Sequence, residues 1–136
     1  MIQVIYGKKG SGKTKRLLDM ANDALKVEHA DIVFVDDDKR YMYDLRHEIR
    51  FVDASEYSVK SADMFLGFLS GMLSQNFDVT AIFIDAFMKM VNADVSTLGD
   101  FFAQLDTLAE KRNLRFVISL SGDPDTMPEF MKKYVI

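Results

Sequence analysis

The residues with the clearest chemistry are 7–14, which read GKKGSGKT and match the phosphate-binding pattern G-x-x-x-x-G-K-[ST] in full. An apolar run at 2–6 precedes them, and apolar residues at helical spacing follow from Lys13 to about Val27. A strand entering such a loop and a helix leaving it turn successive backbone N–H groups towards an anion. The predicted phosphate-binding residues are Gly7, Lys8, Lys9, Gly10, Ser11, Gly12, Lys13 and Thr14.

Residue types within this loop predict separate roles. The glycines allow the backbone to curve around a phosphate group without clashes from Cβ atoms. Lys13 is predicted to contact the β and γ phosphates, and the Thr14 hydroxyl is predicted to complete a Mg²⁺ site. A nucleotide is therefore the expected ligand, with a glycine-rich structural turn as the alternative.

A second informative residue is Asp85, which directly follows the apolar run at 80–84. A carboxylate in that position emerges where a parallel sheet binds its ligands, at the carboxyl ends of the strands. Carboxylate oxygens are preferred Mg²⁺ ligands, so Asp85 is predicted to share the ion with Thr14. The alternative is that Asp85 caps the next helix.

A hydrolase also needs a group that orients or deprotonates the attacking water. Many ATPases carry glutamate immediately after the acidic residue, but this chain has Ala86 there. Asp36, Asp37 and Asp38 follow another predicted strand and should lie near the same edge of the sheet. Asp36 and Asp37 are the preferred catalytic candidates because they are nearer the strand, with a solvated turn as the equally supported alternative.

Two serines near the end of the strand at 115–120 are further candidates. Alternation along a strand places Ser119 and Ser121 on one face and Leu120 on the other. Either serine could contact the γ phosphate or position a water, although ordinary hydrogen bonding at a strand end explains them equally well. No arginine is clearly placed to assist catalysis, so slow turnover is expected.

Composition limits the class of protein. The chain has 136 residues, no cysteine and a net charge of −4, which favours one domain over 1–136 and argues against broad nucleic-acid binding. No apolar run approaches the ~20 residues that span a bilayer, and no signal-type segment is evident. We therefore expect a cytoplasmic protein. His29 and His47 are isolated and lack the spacing of metal ligands.

One local exception to the acidic balance is the segment 39–50, which carries four cations, a histidine and two tyrosines. Such a segment could contact a phosphate, a base or a polar partner. The preferred interpretation is a solvated connection, because acidic residues are interspersed with the cations. The secondary structure of residues 39–49 is ambiguous between a short helix and a hairpin arm.

The alternation of elements predicts an α/β fold. Strands are predicted at 2–6, 32–35, 50–53, 80–84 and 115–120, with a final short strand at 134–136. Helices are predicted at 13–27, 61–74 and 98–111. Such alternation implies a parallel sheet of five or slightly more strands, with helices on both faces in three layers.

Two sequence patterns predict helix starts near the C-terminal end. Thr97-x-x-Asp100 is a candidate capping box for the helix at 98–111. Thr126-x-x-Glu129, with Pro128 in the first turn, is predicted to open a last short helix.

With Gly7, Gly10, Gly12, Lys13, Thr14 and Asp85, the chain resembles the P-loop NTPase superfamily. The resemblance is strongest to the additional-strand branch, which includes AAA, RecA-like and type II thymidine kinase proteins. In that branch another strand separates the loop strand from the acid strand, and residues 115–120 could fill that place. The resemblance implies ATP or GTP with Mg²⁺ as the ligand, with Lys13 on the phosphates and with Thr14 and Asp85 around the ion. The chain also resembles short, functionally unassigned bacterial ATP-binding proteins that carry similar Asp36-Asp37-Asp38 and Asp123-Pro124 patterns.

The leading functional hypothesis is a small nucleoside-triphosphate-binding protein, a slow Mg²⁺-dependent NTPase that acts as a switch or an assembly subunit. A small-molecule or nucleoside kinase is the alternative from another class, and a non-hydrolysing nucleotide sensor is a third. A protein partner or a homo-oligomer is compatible with the first hypothesis. The apolar stretch 86–91 could form a nucleotide-sensitive contact surface, but a buried helical turn is preferred.

Overall fold

A computed structural model describes residues 1–27 and 31–136 of the chain. The strands are β1 (Ile2–Gly7), β2 (Asp31–Asp36), β3 (Arg50–Asp53), β4 (Val79–Ile84) and β5 (Arg115–Ser121). The helices are α1 (Lys13–Ala24), α2 (Ala62–Gln75), α3 (Phe87–Val91) and α4 (Gly99–Arg112). The prediction for His29 lies outside the described residues.

The five strands form one all-parallel sheet in the order β1-β5-β4-β2-β3. β5 lies between β1, which leads into the glycine-rich loop, and β4, which precedes Asp85. The predicted position of the strand at 115–120 is therefore confirmed. Beyond β1, Val135 makes an isolated parallel bridge to Val4, which takes the place of the predicted final strand. Because all strands run in the same direction, their carboxyl ends meet at one edge of the sheet.

Alternating residues of the central strands face two separate apolar layers. Ile32, Phe34 and Phe83 pack with α1 on one side of the sheet. The residues that alternate with these along β2 and β4, such as Val33 and Ile82, pack with α2, α3 and α4 on the other side. The predicted three-layer α/β class, with helices on both faces, is confirmed.

Several helix ends differ from the predictions. Helix α1 ends at Ala24 rather than near Val27. The predicted capping box of α4 is wrong, because Leu98 occupies the N-cap and the Thr97 hydroxyl donates to the carbonyl of Asp94 instead. The predicted last helix is replaced by two 3₁₀ turns at Pro124–Thr126 and Glu129–Met131.

The ambiguous segment between β2 and β3 contains only a 3₁₀ turn at Met42–Asp44. A hairpin is excluded because β3 pairs with β2 in parallel, which requires a crossover. Asn22 of α1 holds this crossover by donating to the carbonyl of Asp44 at 3.0 Å and accepting from the backbone N–H of Arg46 at 2.9 Å. The segment is therefore fixed against the helix that follows the glycine-rich loop.

Helix α3 accounts for the apolar stretch that follows Asp85. Phe87, Met90 and Val91 are buried in the layer that contains α2 and α4. The interpretation of this stretch as an exposed contact surface is therefore wrong, and the preferred interpretation as a buried helical turn is confirmed.

Candidate functional site

The glycine-rich loop joins β1 to α1 through two residues with left-handed backbone. Gly10 has φ of 83° and Gly12, at the N-cap of α1, has φ of 86°. The ammonium of Lys13 donates to the carbonyl of Lys8 at 2.9 Å, so the side chain folds back across the loop. Burial lowers the pKa of Lys13, while the nearby negative charge of Asp85 opposes that shift.

Because the backbone of Gly12 is left-handed, replacing Gly12 by alanine should change the stability of the chain in the opposite direction from replacing Gly67. A Cβ would meet no atom within 4 Å at either Gly12 or Gly67, which lies in α2. Gly12→Ala should lower the free energy of unfolding by about 1–2 kcal/mol because an L side chain is strained at positive φ. Gly67→Ala should raise it by up to about 1 kcal/mol, because alanine favours a helix interior. Urea unfolding of both variants checks this, and a stabilised Gly12→Ala would contradict it.

Asp85 is held beside the start of α1. Its Oδ2 accepts a hydrogen bond from the Thr14 hydroxyl at 2.9 Å, and its backbone N–H donates to the carbonyl of Val35 at 2.9 Å. Ala86 then adopts φ of 55°, a conformation uncommon outside glycine that turns the chain directly into α3. A hydroxyl and a carboxylate oxygen held together fit the oxygen ligands that Mg²⁺ accepts.

Asp36 ends β2, next to the acid strand, and its side chain is 1% exposed. Its Oδ1 accepts the backbone N–H of Asp37 at 2.8 Å, whereas its buried Oδ2 has no hydrogen-bond partner among the described residues. Burial raises the pKa of Asp36 to about 8, helped by the adjoining carboxyl of Asp37 and by the negative charge of Asp85. Asp36 therefore differs from an ordinary, ionised surface carboxylate.

This environment predicts a pH-dependent stability in the absence of divalent cations. The pKa of Asp36 is about 8 in the folded chain, whereas the ordinary pKa of an aspartate carboxyl is 3.8, so ionisation is more costly in the folded chain. The free energy of unfolding should therefore fall as the pH rises from 3.8 towards about 8, and the contribution of Asp36 should be constant above that range. Asp36→Asn should reduce the fall. Urea titrations in EDTA across that range check it, and an identical pH profile for both proteins would contradict it.

A cavity of about 420 Å³ lies at the carboxyl edge of the sheet. It brings together predicted residues from the loop and from three strand ends, namely Lys9, Gly10, Gly12, Lys13, Thr14, Asp36, Asp85, Ser119 and Ser121. Three other loop residues, Gly7, Lys8 and Ser11, line an adjoining cavity of about 510 Å³, together with Gly12 and Lys13. Asp37 lies next to Asp36 but is not among the lining residues of either cavity.

The two serines of β5 lie as the alternation predicts. Ser119 is buried and Ser121 is exposed, yet both line the cavity, whereas Leu120 packs into the apolar layer on the other face. In the register of the sheet Ser121 lies opposite Gly7, the first residue of the loop. Hydroxyl groups therefore face the loop from the strand beside it.

Three cationic side chains that line the cavity are not among the site residues predicted from the sequence. Lys15, Arg40 and Lys89 face it from α1, from the crossover after β2 and from α3. Arg40 lies 5.1 Å from the centre of the Tyr41 ring, which lines the same cavity. These cations are scattered along the sequence, so the only available signal was the basic composition of the segment 39–50.

Comparison of the chain with models of known protein families and with curated proteins found no significant match. In the described part of the chain, every helix is too short or too polar to cross a membrane. The structure defines the fold class of this protein: it is a three-layer α/β domain with a five-stranded parallel sheet and a polar cavity at the carboxyl edge of that sheet.

Proposed function

We propose that this chain is a P-loop protein of the additional-strand type that binds ATP or GTP with Mg²⁺ and hydrolyses it slowly. The 2.9 Å hydrogen bond between the Thr14 hydroxyl and Asp85 Oδ2 is the observation that carries the proposal. These residues are 71 positions apart, yet they meet beside Lys13 in one cavity. A glycine-rich turn with only a structural role requires neither that pairing nor a cavity lined with cations.

Three features of the loop favour a triphosphate as the ligand. Left-handed Gly10 and Gly12 shape a loop in which backbone N–H groups can converge on an anion. The N-terminus of α1 adds partial positive charge at the same point. Lys9, Lys15, Arg40 and Lys89 surround the cavity with further positive charge. A polyanion is therefore a better match for the cavity than a neutral metabolite.

Each group of the chain then has a role in the reaction. Lys13 releases the Lys8 carbonyl and donates to the β and γ phosphates, where it stabilises the charge that develops during transfer. Thr14 and Asp85 would hold Mg²⁺, which neutralises phosphate charge when bound. Ser119 and Ser121 donate hydrogen bonds from the β5 side of the loop.

Asp36 is the preferred group for orienting or deprotonating the attacking water, with Asp37 as the second candidate. Asp36 lines the cavity and has an oxygen without a hydrogen-bond partner among the described residues. Its pKa of about 8 keeps the carboxyl largely protonated at neutral pH, and Ala86 stands where a catalytic glutamate is common. Both features favour slow hydrolysis.

A kinase is the second candidate, because Arg40 and Tyr41 of the crossover line the cavity beside Asp36. A guanidinium and an aromatic ring at that position could contact an acceptor molecule, with Asp36 accepting the proton of its hydroxyl. The crossover is held by Asn22, so the acceptor would meet a largely formed surface.

Phosphate release and phosphate transfer distinguish the candidates. Purified chain is incubated with Mg²⁺ and ATP or GTP labelled at the γ phosphate, with and without a panel of nucleosides and metabolites, and Lys13→Ala is the control. An NTPase releases phosphate above the level of Lys13→Ala without an acceptor, whereas a kinase labels an acceptor. Nucleotide binding without either product would identify a sensor and would contradict the proposed hydrolysis.

Slow turnover suits a switch or an assembly subunit in the cytoplasm. A protein partner or a second copy of the chain would then bind differently to the triphosphate-bound and diphosphate-bound forms. The proposal for a partner does not rest on the stretch 86–91, because its apolar side chains Phe87, Met90 and Val91 are buried. Size-exclusion chromatography coupled to light scattering, in ADP and in a non-hydrolysable triphosphate, measures whether the nucleotide changes the assembly.

A further inference from the structure

Asp36, Asp37 and Asp38 are here called the aspartate triplet; Asp36 ends β2, and Asp37 and Asp38 follow it directly. One carboxylate oxygen from each residue lies within 4.8 Å of the corresponding oxygens of the other two. The cation–oxygen distance for Mg²⁺ or Ca²⁺ is about 2.0–2.6 Å, so two ligands of one cation lie at most about 5 Å apart. The spacing of the triplet therefore matches that of ligands around a single cation.

Two oxygens of the triplet have unmet bonding capacity. Asp36 Oδ2 and Asp37 Oδ1 are buried and have no hydrogen-bond partner in the described part of the chain. Asp36 is 1% exposed, and burying an unpaired carboxylate is costly unless a proton or a cation joins it. The hydrogen bonds of Arg40 go to Asp38 alone, from its backbone N–H to Oδ1 at 2.8 Å and from its guanidinium to Oδ2 at 3.2 Å. This arginine therefore leaves the two buried oxygens unmatched.

We propose that the aspartate triplet binds a divalent cation, separate from the ion that Thr14 and Asp85 would hold with the nucleotide. Three carboxylates offer only oxygen ligands, which select Mg²⁺, Mn²⁺ or Ca²⁺ over metals that prefer nitrogen or sulfur. Water fills the remaining positions of the coordination shell. The cation neutralises the charge that the triplet and Asp85 otherwise concentrate at this edge of the sheet.

This second site does not depend on the proposed nucleotide site. Its ligands come from one stretch of chain after β2, so the cation binds without a triphosphate. It is also compatible with a role for Asp36 in orienting water, because an ionised carboxylate has about four lone-pair positions and accepts from more than one partner.

Binding of Mn²⁺ alone, without nucleotide, tests the proposal by electron paramagnetic resonance. The expected result is one bound Mn²⁺ per chain at submillimolar free ion, with affinity weakened by about tenfold or more in Asp37→Asn and Asp38→Asn. Thr14→Ala, the matched control at the other site, should bind Mn²⁺ as the unmodified chain does. In ¹⁵N spectra, Mn²⁺ should broaden the amide signals of residues 36–40 most strongly.

Absence of bound Mn²⁺ at millimolar concentration would overturn the proposal. A loss of Mn²⁺ binding in Thr14→Ala with none in Asp37→Asn would also overturn it. If Asp37→Asn does not fold, Asp38→Asn decides the test, because that side chain is 46% exposed and tolerates substitution. None of these outcomes depends on nucleotide binding, so failure here is distinguishable from failure of the proposed NTPase.

Discussion

Lys13→Ala should weaken the binding of Mg-ATP or Mg-GTP by about 100-fold, which corresponds to the loss of a charge-assisted contact of about 2.7 kcal/mol. The Lys13 ammonium is poorly exposed and already directed across the loop by its bond to the Lys8 carbonyl. Removing it deletes a positive charge at the centre of the proposed phosphate site, together with the hydrogen bond that the ammonium donates to the Lys8 carbonyl. Calorimetric titration of the unmodified chain and the variant measures the difference.

Lys26→Ala is the matched control for this prediction, because it removes the same charge from a position away from both cavities. The ammonium of Lys26 pairs with Asp23 at 3.2 Å, and both side chains are exposed. Such a surface pair contributes little, so nucleotide affinity should change by less than about threefold. Equal losses of affinity in Lys13→Ala and Lys26→Ala would show that general charge, rather than the loop, determines binding.

Asp85→Asn should remove most of the effect of Mg²⁺ on nucleotide binding and should reduce phosphate release by about 10- to 100-fold. The asparagine carbonyl can still accept the hydrogen bond of the Thr14 hydroxyl, so the join between β4 and α1 is preserved. What is lost is the negative charge that attracts the ion. Titrations with ATP or GTP in Mg²⁺ and in EDTA measure the dependence on the ion for each protein.

Asp63→Asn is the control for Asp85→Asn. Asp63 is exposed in the first turn of α2 and lies outside both cavities, so this change should leave the dependence on Mg²⁺ intact. The assignment of Asp85 would be contradicted if Asp85→Asn responded to Mg²⁺ as strongly as the unmodified chain.

Much of the fold was predictable because the pattern of apolar residues reflects burial. The apolar runs at 32–35, 81–84 and 116–118 are continuous, as expected for parallel strands covered on both faces, and the structure has strands there. The order of the strands depends on packing between distant parts of the chain. It was anticipated only through the resemblance that assigned residues 115–120 to the position beside the loop strand.

The candidate site was predictable where local sequence determines geometry. The loop at 7–14 and the acid at a strand end are local features, and both face the same edge of the sheet. Lys15, Lys89 and Arg40 reach the cavity because α1, α3 and the crossover converge on it. That convergence depends on tertiary contacts such as those of Asn22, which no local pattern encodes.

The aspartates after β2 illustrate the same limit. Their sequence predicts a cluster at the sheet edge but gives no means of telling a buried carboxylate from a solvated one. In the structure Asp36 is buried, whereas Asp38 is partly exposed and pairs with Arg40. The strand ends at Asp36 and the chain bends from Asp37 on, so the three side chains meet different surroundings.

The most direct measurement for the central claim is a crystal structure of the chain with Mg²⁺ and a non-hydrolysable analogue of ATP or GTP. The account predicts phosphate oxygens within hydrogen-bond distance of the backbone N–H groups of 10–14 and of the Lys13 ammonium, with Mg²⁺ between Thr14, Asp85 and the phosphates. A nucleotide bound elsewhere, or no bound nucleotide at saturating concentration, would contradict it.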